Sequence, residues 1–304
     1  MKIDLAPMEG LTDYTFRGVF NKYFSGVDRY YTPFISPTST RYLTPRDYKE
    51  VALENNEGMH LIPQLLTNNA EVFTETCREL KEMGYTTVNL NLGCPSGTVT
   101  HKGKGAGFLK YPKQLREFLD YIYSHAVCDI SIKTRIGTAD KEDWEELLDI
   151  YKDFPINELI IHPRLLSDFY RGPVHTDAFK QALELLKCPV TYNGDITTVE
   201  KAEKIIEAFP DTFRIMIGRG LVADPNLASK IKGLECADRK TIKKFTSELT
   251  DAYIEKFHDE RIAVNRMKSI WIYLAESFPG SEKALKQLKK AQNLVQYKSA
   301  VMQF

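Results

Sequence analysis

Residues that can transfer protons or stabilise charge directly follow several short apolar segments of this sequence. Cys94 stands in a Gly-Cys-Pro sequence immediately after the apolar segment 88–92. Most cysteines are small buried apolar residues, but a position just past a strand would turn this thiol towards a site. A free thiol has a pKa near ~8.5 and is mostly protonated at neutral pH. Cys94 is therefore a candidate proton donor as well as a candidate nucleophile.

Lys133 follows the apolar residues 130–132 and allows three interpretations. Its ammonium could simply reach solvent along an apolar stem. It could form a Schiff base with a carbonyl substrate, or it could place a fixed positive charge against an anionic cofactor ring. Arg135, two residues further along the same strand, points to the same side and adds positive potential.

Two glycine-containing segments, Asn193-Gly194-Asp195 and Gly218-Arg219-Gly220, follow later apolar segments. Glycine exposes backbone N–H groups that bind phosphate oxygens, and Arg219 can supplement them. The loops after the seventh and eighth strands are the usual phosphate site of an eight-stranded β/α barrel. Together the two segments indicate a phosphorylated cofactor.

Three further features have both a structural and a functional interpretation. His162 and Gln64 end apolar segments, so they are either buried structural residues or cofactor contacts in the same ring as Lys133. The glycine-rich segment 103–107, which follows Lys102, is either an ordinary long loop or a mobile segment that closes over substrate or RNA.

The elements that must position these residues alternate regularly along the chain. Strand-like segments alternate with helical patterns, which is typical of a parallel sheet, and polar residues at strand ends are typical of a barrel's active site. The sequence therefore predicts a (β/α)8 TIM barrel over residues 1–234. The strands are expected at 3–6, 30–32, 61–63, 88–92, 130–132, 159–161, 190–192 and 215–217, and the helices at 14–23, 71–83, 113–124, 141–152, 177–186 and 198–208.

Beyond residue 234 the pattern becomes entirely helical. Helices are expected at 240–257, 263–278 and 283–295, which predicts a small C-terminal helical bundle over residues 235–304. The segment 230–304 carries 15 basic and 9 acidic residues, although the whole chain has 41 of each. This asymmetry indicates either a polyanionic partner or a solvated helical surface.

Composition excludes several classes of protein. The 304-residue chain has no apolar stretch near the ~20 residues of a membrane span, so no membrane association is expected. The sequence enters a strand-like segment at once, so no signal peptide is expected. Five scattered cysteines form no CxxC pair, so neither a disulfide framework nor a metal site is expected. A cytoplasmic protein, which we expect to be monomeric, fits these features.

Taken together, the motifs resemble those of the tRNA-dihydrouridine synthase family over the whole chain. The stretch from Gly93 to Val99 is most similar to the bacterial branch that modifies the D-loop. The matching sequences are Ala6-Pro7-Met8-Glu9-Gly10 with Thr12-Asp13, Asn91-Leu92-Gly93-Cys94-Pro95, Lys133-Thr134-Arg135, Asn193-Gly194-Asp195 and Ile217-Gly218-Arg219-Gly220.

The resemblance implies FMN at the barrel mouth, NADPH or NADH as reductant, and uridine in tRNA as substrate. Cys94 would then be the proton donor. The residues implied to contact FMN or its surroundings are Pro7, Met8, Glu9, Gln64, Lys133, His162, Asn193, Gly194, Asp195, Gly218 and Arg219. Those implied to contact uracil or RNA are Asn91, Lys102, Arg135, Arg266 and Lys268.

Two positions refine these expectations. Trp271 shares a helix face with Met267, so we expect it in the core and not stacked on a base. The segment Leu165–Gly172 departs from the family's usual polar stretch, and it follows Arg164, whose role is left open.

Three rival functions remain at this point. The barrel could be a flavoenzyme that acts on a free pyrimidine, a Schiff-base aldolase that uses Lys133, or a non-catalytic RNA-binding protein.

Overall fold

The computed structural model describes residues 1–140, 143–212 and 214–304. Within them, nine parallel strands form one sheet in the order β3-β2-β1-β9-β8-β7-β6-β5-β4. The strands are β1 (Lys2–Leu5), β2 (Arg29–Tyr31), β3 (Leu61–Ile62), β4 (Gln64–Leu65), β5 (Thr87–Leu92), β6 (Asp129–Arg135), β7 (Leu159–His162), β8 (Val190–Tyr192) and β9 (Arg214–Ile217).

The sheet closes into an eight-stranded barrel because β3 and β4 are two halves of one strand, separated only by Pro63. Proline has no N–H to donate to a ladder. Its carbonyl still accepts the N–H of Asn89 at 2.9 Å, and the N–H of Gln64 turns to the hydroxyl of Thr32 at 2.9 Å. The predicted TIM barrel is confirmed.

Helices surround the barrel and form the C-terminal region of the chain. They are α1 (Tyr14–Tyr23), α2 (Pro45–Val51), α3 (Ala70–Glu82), α4 (Gly97–Thr100), α5 (Pro112–Ser124), α6 (Asp143–Tyr151), α7 (Thr176–Leu185), α8 (Val199–Ala208), α9 (Arg219–Ala223), α10 (Leu227–Lys232), α11 (Arg239–Phe257), α12 (Glu260–Leu274), α13 (Glu282–Lys290) and α14 (Leu294–Val301). Side chains of Asp13, Asn69, Thr198 and Asp238 accept backbone N–H groups at the starts of α1, α3, α8 and α11.

The structure differs from the sequence-based expectation in some of its helices. The predicted helix 283–295 is wrong as one element: Ala291 is extended, and Asn293 caps a second helix, α14. Helix α2 was not predicted, although Thr44 and Asp47 form a capping box around Pro45. The predicted helix 141–152 corresponds to α6, and its first two residues lie outside the described part of the chain.

The helical region packs directly on the first β/α unit of the barrel. Phe245 of α11 packs against Phe16, Phe20 and Phe24. The Asp13 carboxylate, which caps α1, also accepts the Tyr253 hydroxyl at 2.9 Å. The Lys256 ammonium lies 2.9 Å from the other oxygen of that carboxylate. The confirmed C-terminal helices therefore share buried polar contacts with the barrel, and the division at residues 234 and 235 stays a prediction.

Trp271 lies in the core of the helical region, as predicted. Its side chain is fully buried, and its indole N–H donates to the Tyr297 hydroxyl at 3.0 Å. In the described part of the chain, no helix is both long enough and apolar enough to cross a membrane.

Candidate active site

A cavity of about 600 Å³ opens at the carboxyl ends of the barrel strands. Thirteen of the residues predicted from sequence line it: Pro7, Met8, Glu9, Gln64, Asn91, Cys94, Lys133, His162, Asn193, Gly194, Asp195, Gly218 and Arg219. The four others, Lys102, Arg135, Arg266 and Lys268, lie outside this lining. Strand-end position therefore brought together most of the candidate residues.

The side chain of Asn91 stabilises the turn that carries Cys94. The Asn91 side-chain oxygen accepts the backbone N–H groups of Gly93 at 3.0 Å and of Cys94 at 2.9 Å. Its amide nitrogen donates to Gln64 at 2.7 Å, and Gln64 donates to Asn89 at 2.7 Å. Asn91 and Gln64 thus fix the backbone that presents the thiol to the cavity.

The electrostatic environment keeps Cys94 protonated. Burial raises the pKa of the Cys94 thiol, and this effect outweighs the opposing influence of the positive charges on Arg135 and Lys133. A thiol in this state holds a proton at neutral pH. Cys94 is therefore suited to donate a proton to a substrate carbon.

Lys133 is an amine in the cavity with no carboxylate partner among the described residues. Burial, together with the neighbouring positive charge of Arg135, lowers the pKa of Lys133 to about 7. An anionic group bound beside the amine would restore its positive charge. This placement in the cavity excludes the interpretation in which Lys133 only reaches bulk solvent.

His162 is neutral in this site. Burial lowers the pKa of His162 well below its ordinary value, and the surrounding cations, Lys133 foremost, lower it further. The Arg164 guanidinium lies 3.1 Å from the ring Nε2. Because arginine can only donate, Nε2 must accept, and the proton is on Nδ1. His162 therefore offers a neutral hydrogen-bond donor.

Arg164, whose role the sequence left open, forms a bidentate ion pair with Asp195 at 2.6 and 2.9 Å. Arg219 approaches the same carboxylate at 2.8 Å. The bond from Arg164 holds the pKa of Asp195 below its usual range. Two guanidinium groups on one carboxylate leave an excess positive charge at the two glycine-containing loops. That charge suits a phosphate group.

Close packing explains why glycine is needed in these loops. A Cβ atom on Gly220 would lie 2.2 Å from the carbonyl oxygen of Ile196, and one on Gly218 would lie 3.0 Å from the sulfur of Met8. The Asn193 amide joins the loops by donating to the carbonyl of Met216 at 2.8 Å. A cavity with an amine that has no carboxylate partner, polar amides and cationic glycine loops has a donor set that suits an anionic, phosphorylated ligand.

Arg135 lies beneath the cavity wall. It is fully buried, and its guanidinium donates to the carbonyl oxygens of Gly93 at 3.0 Å and Leu165 at 2.8 Å. Its second terminal nitrogen has no hydrogen-bond partner in the described part of the chain. The Tyr170 ring covers the guanidinium at 5.3 Å. Its contact with uracil stays a prediction.

Three aromatic residues that sequence reasoning did not select, Phe34, Phe169 and Tyr170, also line the cavity. They are joined by Tyr273, which belongs to the basic, aromatic stretch that resembles the family. Phe169 and Tyr170 follow β7 in the segment noted above as divergent, and this aromatic pair in a loop was the available signal. Tyr273 comes from α12, so the helical region forms part of the cavity wall.

The glycine-rich segment 103–107 is packed against the Cys94 turn. The N–H of Ala106 donates to the carbonyl of Cys94 at 3.1 Å, and a Cβ atom on Gly107 would lie 2.6 Å from the carbonyl oxygen of Thr100. These contacts support the interpretation as a structured loop and not as a lid. Lys102 is exposed on the outer side of this loop.

The two candidate RNA contacts in α12 have different environments. Arg266 is half-buried, 5.8 Å from the rings of Tyr253 and Phe257, and its guanidinium is near Gly10 beside the cavity. The Lys268 ammonium donates to the carbonyl of Ala291 at 2.7 Å, at the end of α13. Lys268 therefore also has a structural role.

The family model and the relatives that match this chain are all described as dihydrouridine synthases. The family model described as "Dihydrouridine synthase (Dus)" matches residues 4–303. A tRNA-dihydrouridine(16) synthase of Pseudomonas syringae pv. tomato is 33% identical over 76% of this chain and 74% of its own length. One of Aquipseudomonas alcaligenes is 25% identical over 96% of both chains. A tRNA-dihydrouridine synthase B of Pasteurella multocida is 28% identical over 77% of this chain and 69% of its own.

Solved structures share the fold at low sequence identity. Histamine dehydrogenase from Rhizobium sp. 4-9 has a TM-score of 0.57 and 14% identity, with 76% of this chain and 45% of that chain covered. Morphinone reductase has a TM-score of 0.53 and 11% identity, with 79% of this chain and 88% of that chain covered. These similarities support the barrel fold alone.

Proposed function

The chain belongs to the dihydrouridine synthase family, and from that premise we propose that it reduces uridine in the D-loop of tRNA to 5,6-dihydrouridine. The proposed cofactor is FMN, with NADPH or NADH as the source of electrons. The observation that carries the proposal is that Cys94, in the turn just after β5, and Lys133, on the neighbouring strand β6, line one cavity. Cys94 offers a proton, and Lys133 offers a positive charge that has no carboxylate partner among the described residues.

The cavity residues divide between the two ends of FMN. Lys133, Gln64 and neutral His162 would contact the ring, along which Pro7 and Met8 would lie. The loops at 193–195 and 218–219, with their excess positive charge, would hold the phosphate. When bound, the flavin supplies a hydride to C6 of the uracil.

The protein's own residues complete the reaction at the other carbon. Cys94 would donate its thiol proton to C5, and Asn91 keeps the thiol in place by holding the backbone of the turn. Arg135 is the cation we expect nearest to a uracil carbonyl, and direct contact requires Tyr170 to move, because Tyr170 covers the buried guanidinium. Negative charge that develops on the pyrimidine would be stabilised by this fixed cation.

RNA binding would depend on charges around the cavity. Arg266 beside Gly10, Lys102 on the outer loop and Lys268 are the candidates for phosphate contacts. The target base must leave its stack to reach the cavity. With tRNA as the proposed substrate, we also propose a cytoplasmic location.

The proposal is tested by mass spectrometry of tRNA from cells with and without the gene. Loss of dihydrouridine at defined D-loop positions is expected, and it would also identify the uridine that is reduced. The purified protein should be yellow, and it should oxidise NADPH in the presence of tRNA lacking dihydrouridine. Turnover of free uracil without tRNA would support the rival function on free pyrimidines. Unchanged tRNA from the deletion strain would contradict the proposal.

A further inference from the structure

Phe169 combines an unfavourable backbone conformation with an exposed aromatic ring at the mouth of the cavity. Its φ is 49°, in the left-handed region that bulky residues rarely adopt. The side chain is 52% exposed, so burial within the protein does not offset this conformation. Strain that the local packing does not explain is a reason to look for a functional role.

The surrounding turn holds Phe169 in this conformation from both sides. The Asp168 carboxylate accepts the N–H of Leu165 at 2.8 Å. The N–H of Phe169 donates to Leu166 at 3.2 Å, and the N–H of Arg171 donates to Asp168 at 3.0 Å. The turn is also tied to the loop after β6, because Leu166 donates to Gly137 at 3.0 Å. The ring is thus presented by a rigid turn.

Phe169 and its neighbour Tyr170 have different surroundings. The Tyr170 ring lies between two guanidinium groups, 5.3 Å from Arg135 and 5.4 Å from Arg219. The Phe169 ring lines the same cavity but has no cation or aromatic ring stacked on it among the described residues. Tyr170 is therefore engaged inside the site, whereas the exposed part of Phe169 is available to a ligand.

We propose that Phe169 stacks on a nucleobase of the tRNA next to the uridine that enters the cavity, an inference that rests on the proposed function. Extrusion of a base exposes the apolar faces of its neighbours to water. A rigid aromatic ring covers such a face regardless of base identity. A tRNA substrate brings flat nucleobases to this cavity mouth, so an RNA base is the partner whose chemistry fits an exposed aromatic ring.

The test variant is Phe169→Gly, which removes the ring and also relieves the backbone strain. Loss of one base stack should raise the Kd for tRNA lacking dihydrouridine about tenfold. The melting temperature should stay the same or rise, because glycine readily adopts a positive φ. A merely structural role predicts the opposite pair of changes, with lower stability and unchanged affinity. Phe169→Trp, which restores an aromatic face, should recover the affinity.

His258→Gly is the matched control. His258 has a φ of 50° at the end of α11, and its side chain is exposed. This variant relieves the same kind of strain at a residue that does not line the cavity, so tRNA affinity should not change. Wild-type affinity in Phe169→Gly, or equal loss in both variants, would overturn the inference. Absence of dihydrouridine synthesis by the wild-type protein would instead refute the proposed function.

Discussion

Both ends of the barrel contain buried charged side chains. Only at one end do the negative charges match the positive charges. At the end where the strands begin, Asp4 and Glu158 face Arg29 and Arg214. Arg29 lies 2.5 Å from Asp4 and 2.8 Å from Glu158, and Arg214 lies 2.6 Å from Asp4. The Thr191 hydroxyl donates to Glu158 as well. Two negative and two positive charges thus form a neutral network.

At the end where the strands finish, positive charge is in excess. Lys133 and Arg135 have no carboxylate partner in the described part of the chain, and Arg164 and Arg219 share Asp195. Charges that are buried and matched hold a fold together, whereas buried charges left unmatched require a ligand. The difference separates the end that stabilises the barrel from the end that binds and reacts.

The largest expected effect is a loss of catalytic rate caused by a substitution at the carboxyl end of the strands. Cys94→Ala removes the proposed proton donor, so single-turnover reoxidation of the reduced enzyme by tRNA should slow by roughly 10²–10⁴-fold. Cofactor content and tRNA affinity should be retained. Cys236→Ala, at an exposed cysteine, is the control. Near wild-type rates for Cys94→Ala would refute its assignment as the donor.

The second largest expected effect is a loss of stability caused by a substitution at the end where the strands begin. Asp4→Ala leaves two buried guanidinium groups with too little negative charge, which should lower the free energy of unfolding by about 3–5 kcal/mol. Urea denaturation measures this change. Arg116→Ala, which breaks an exposed pair with Asp153, should have little effect. Turnover per folded molecule should be unchanged in Asp4→Ala, and a specific loss of turnover would contradict the separation of the two ends.

Lys133→Met should stabilise the cofactor-free protein while impairing the holoenzyme. Because the folded-state pKa of Lys133 is about 7 and lies below the unfolded value, the unfolded chain binds more protons between these two values. The burial of Lys133 should therefore destabilise the wild-type protein less as the pH increases from 7 towards 10, so its free energy of unfolding should rise. The variant should be more stable by about 1–3 kcal/mol at pH 7, with a smaller gain at pH 9.5.

Thermal unfolding of the cofactor-free wild type and variant at the two pH values measures this difference. In the holoenzyme, loss of the positive charge should lower the flavin midpoint potential and slow its reduction by NADPH. A pH-independent difference in stability, or an unchanged potential, would count against the assigned role of Lys133.

The smallest expected effect is a change in tRNA affinity when a proposed RNA contact is removed. Arg266→Ala should weaken tRNA binding and reduce the slope of log K against log salt by about one if its guanidinium contacts one phosphate. Lys286→Ala removes an exposed charge from α13 and serves as the control. Lys268→Ala should lower thermal stability as well, because it removes the bond to Ala291. Equal salt slopes for Arg266→Ala and wild type would show that Arg266 does not contact RNA.

The sequence predicted the barrel and most of the cavity lining for the same reason. A parallel barrel brings all strand ends to one rim, so Cys94, Lys133 and His162 could be placed together without knowledge of loop conformation. The pairing of Arg164 with Asp195 joins residues 31 positions apart through side-chain geometry, which strand order does not specify. The φ of Phe169 is likewise a property of one turn and has no periodic signal.

The contacts of Asp13 have a consequence for how the protein can be made. Strand β1 pairs with β9, and the carboxylate that caps α1 is shared with Tyr253 and Lys256. The first β/α unit to leave the ribosome therefore has incomplete neighbours until almost the whole chain has been synthesised. Such long sequence separations slow folding and keep partly folded chains exposed. Truncations or slow translation before residue 256 should favour aggregation, because the opening unit of the barrel is completed last.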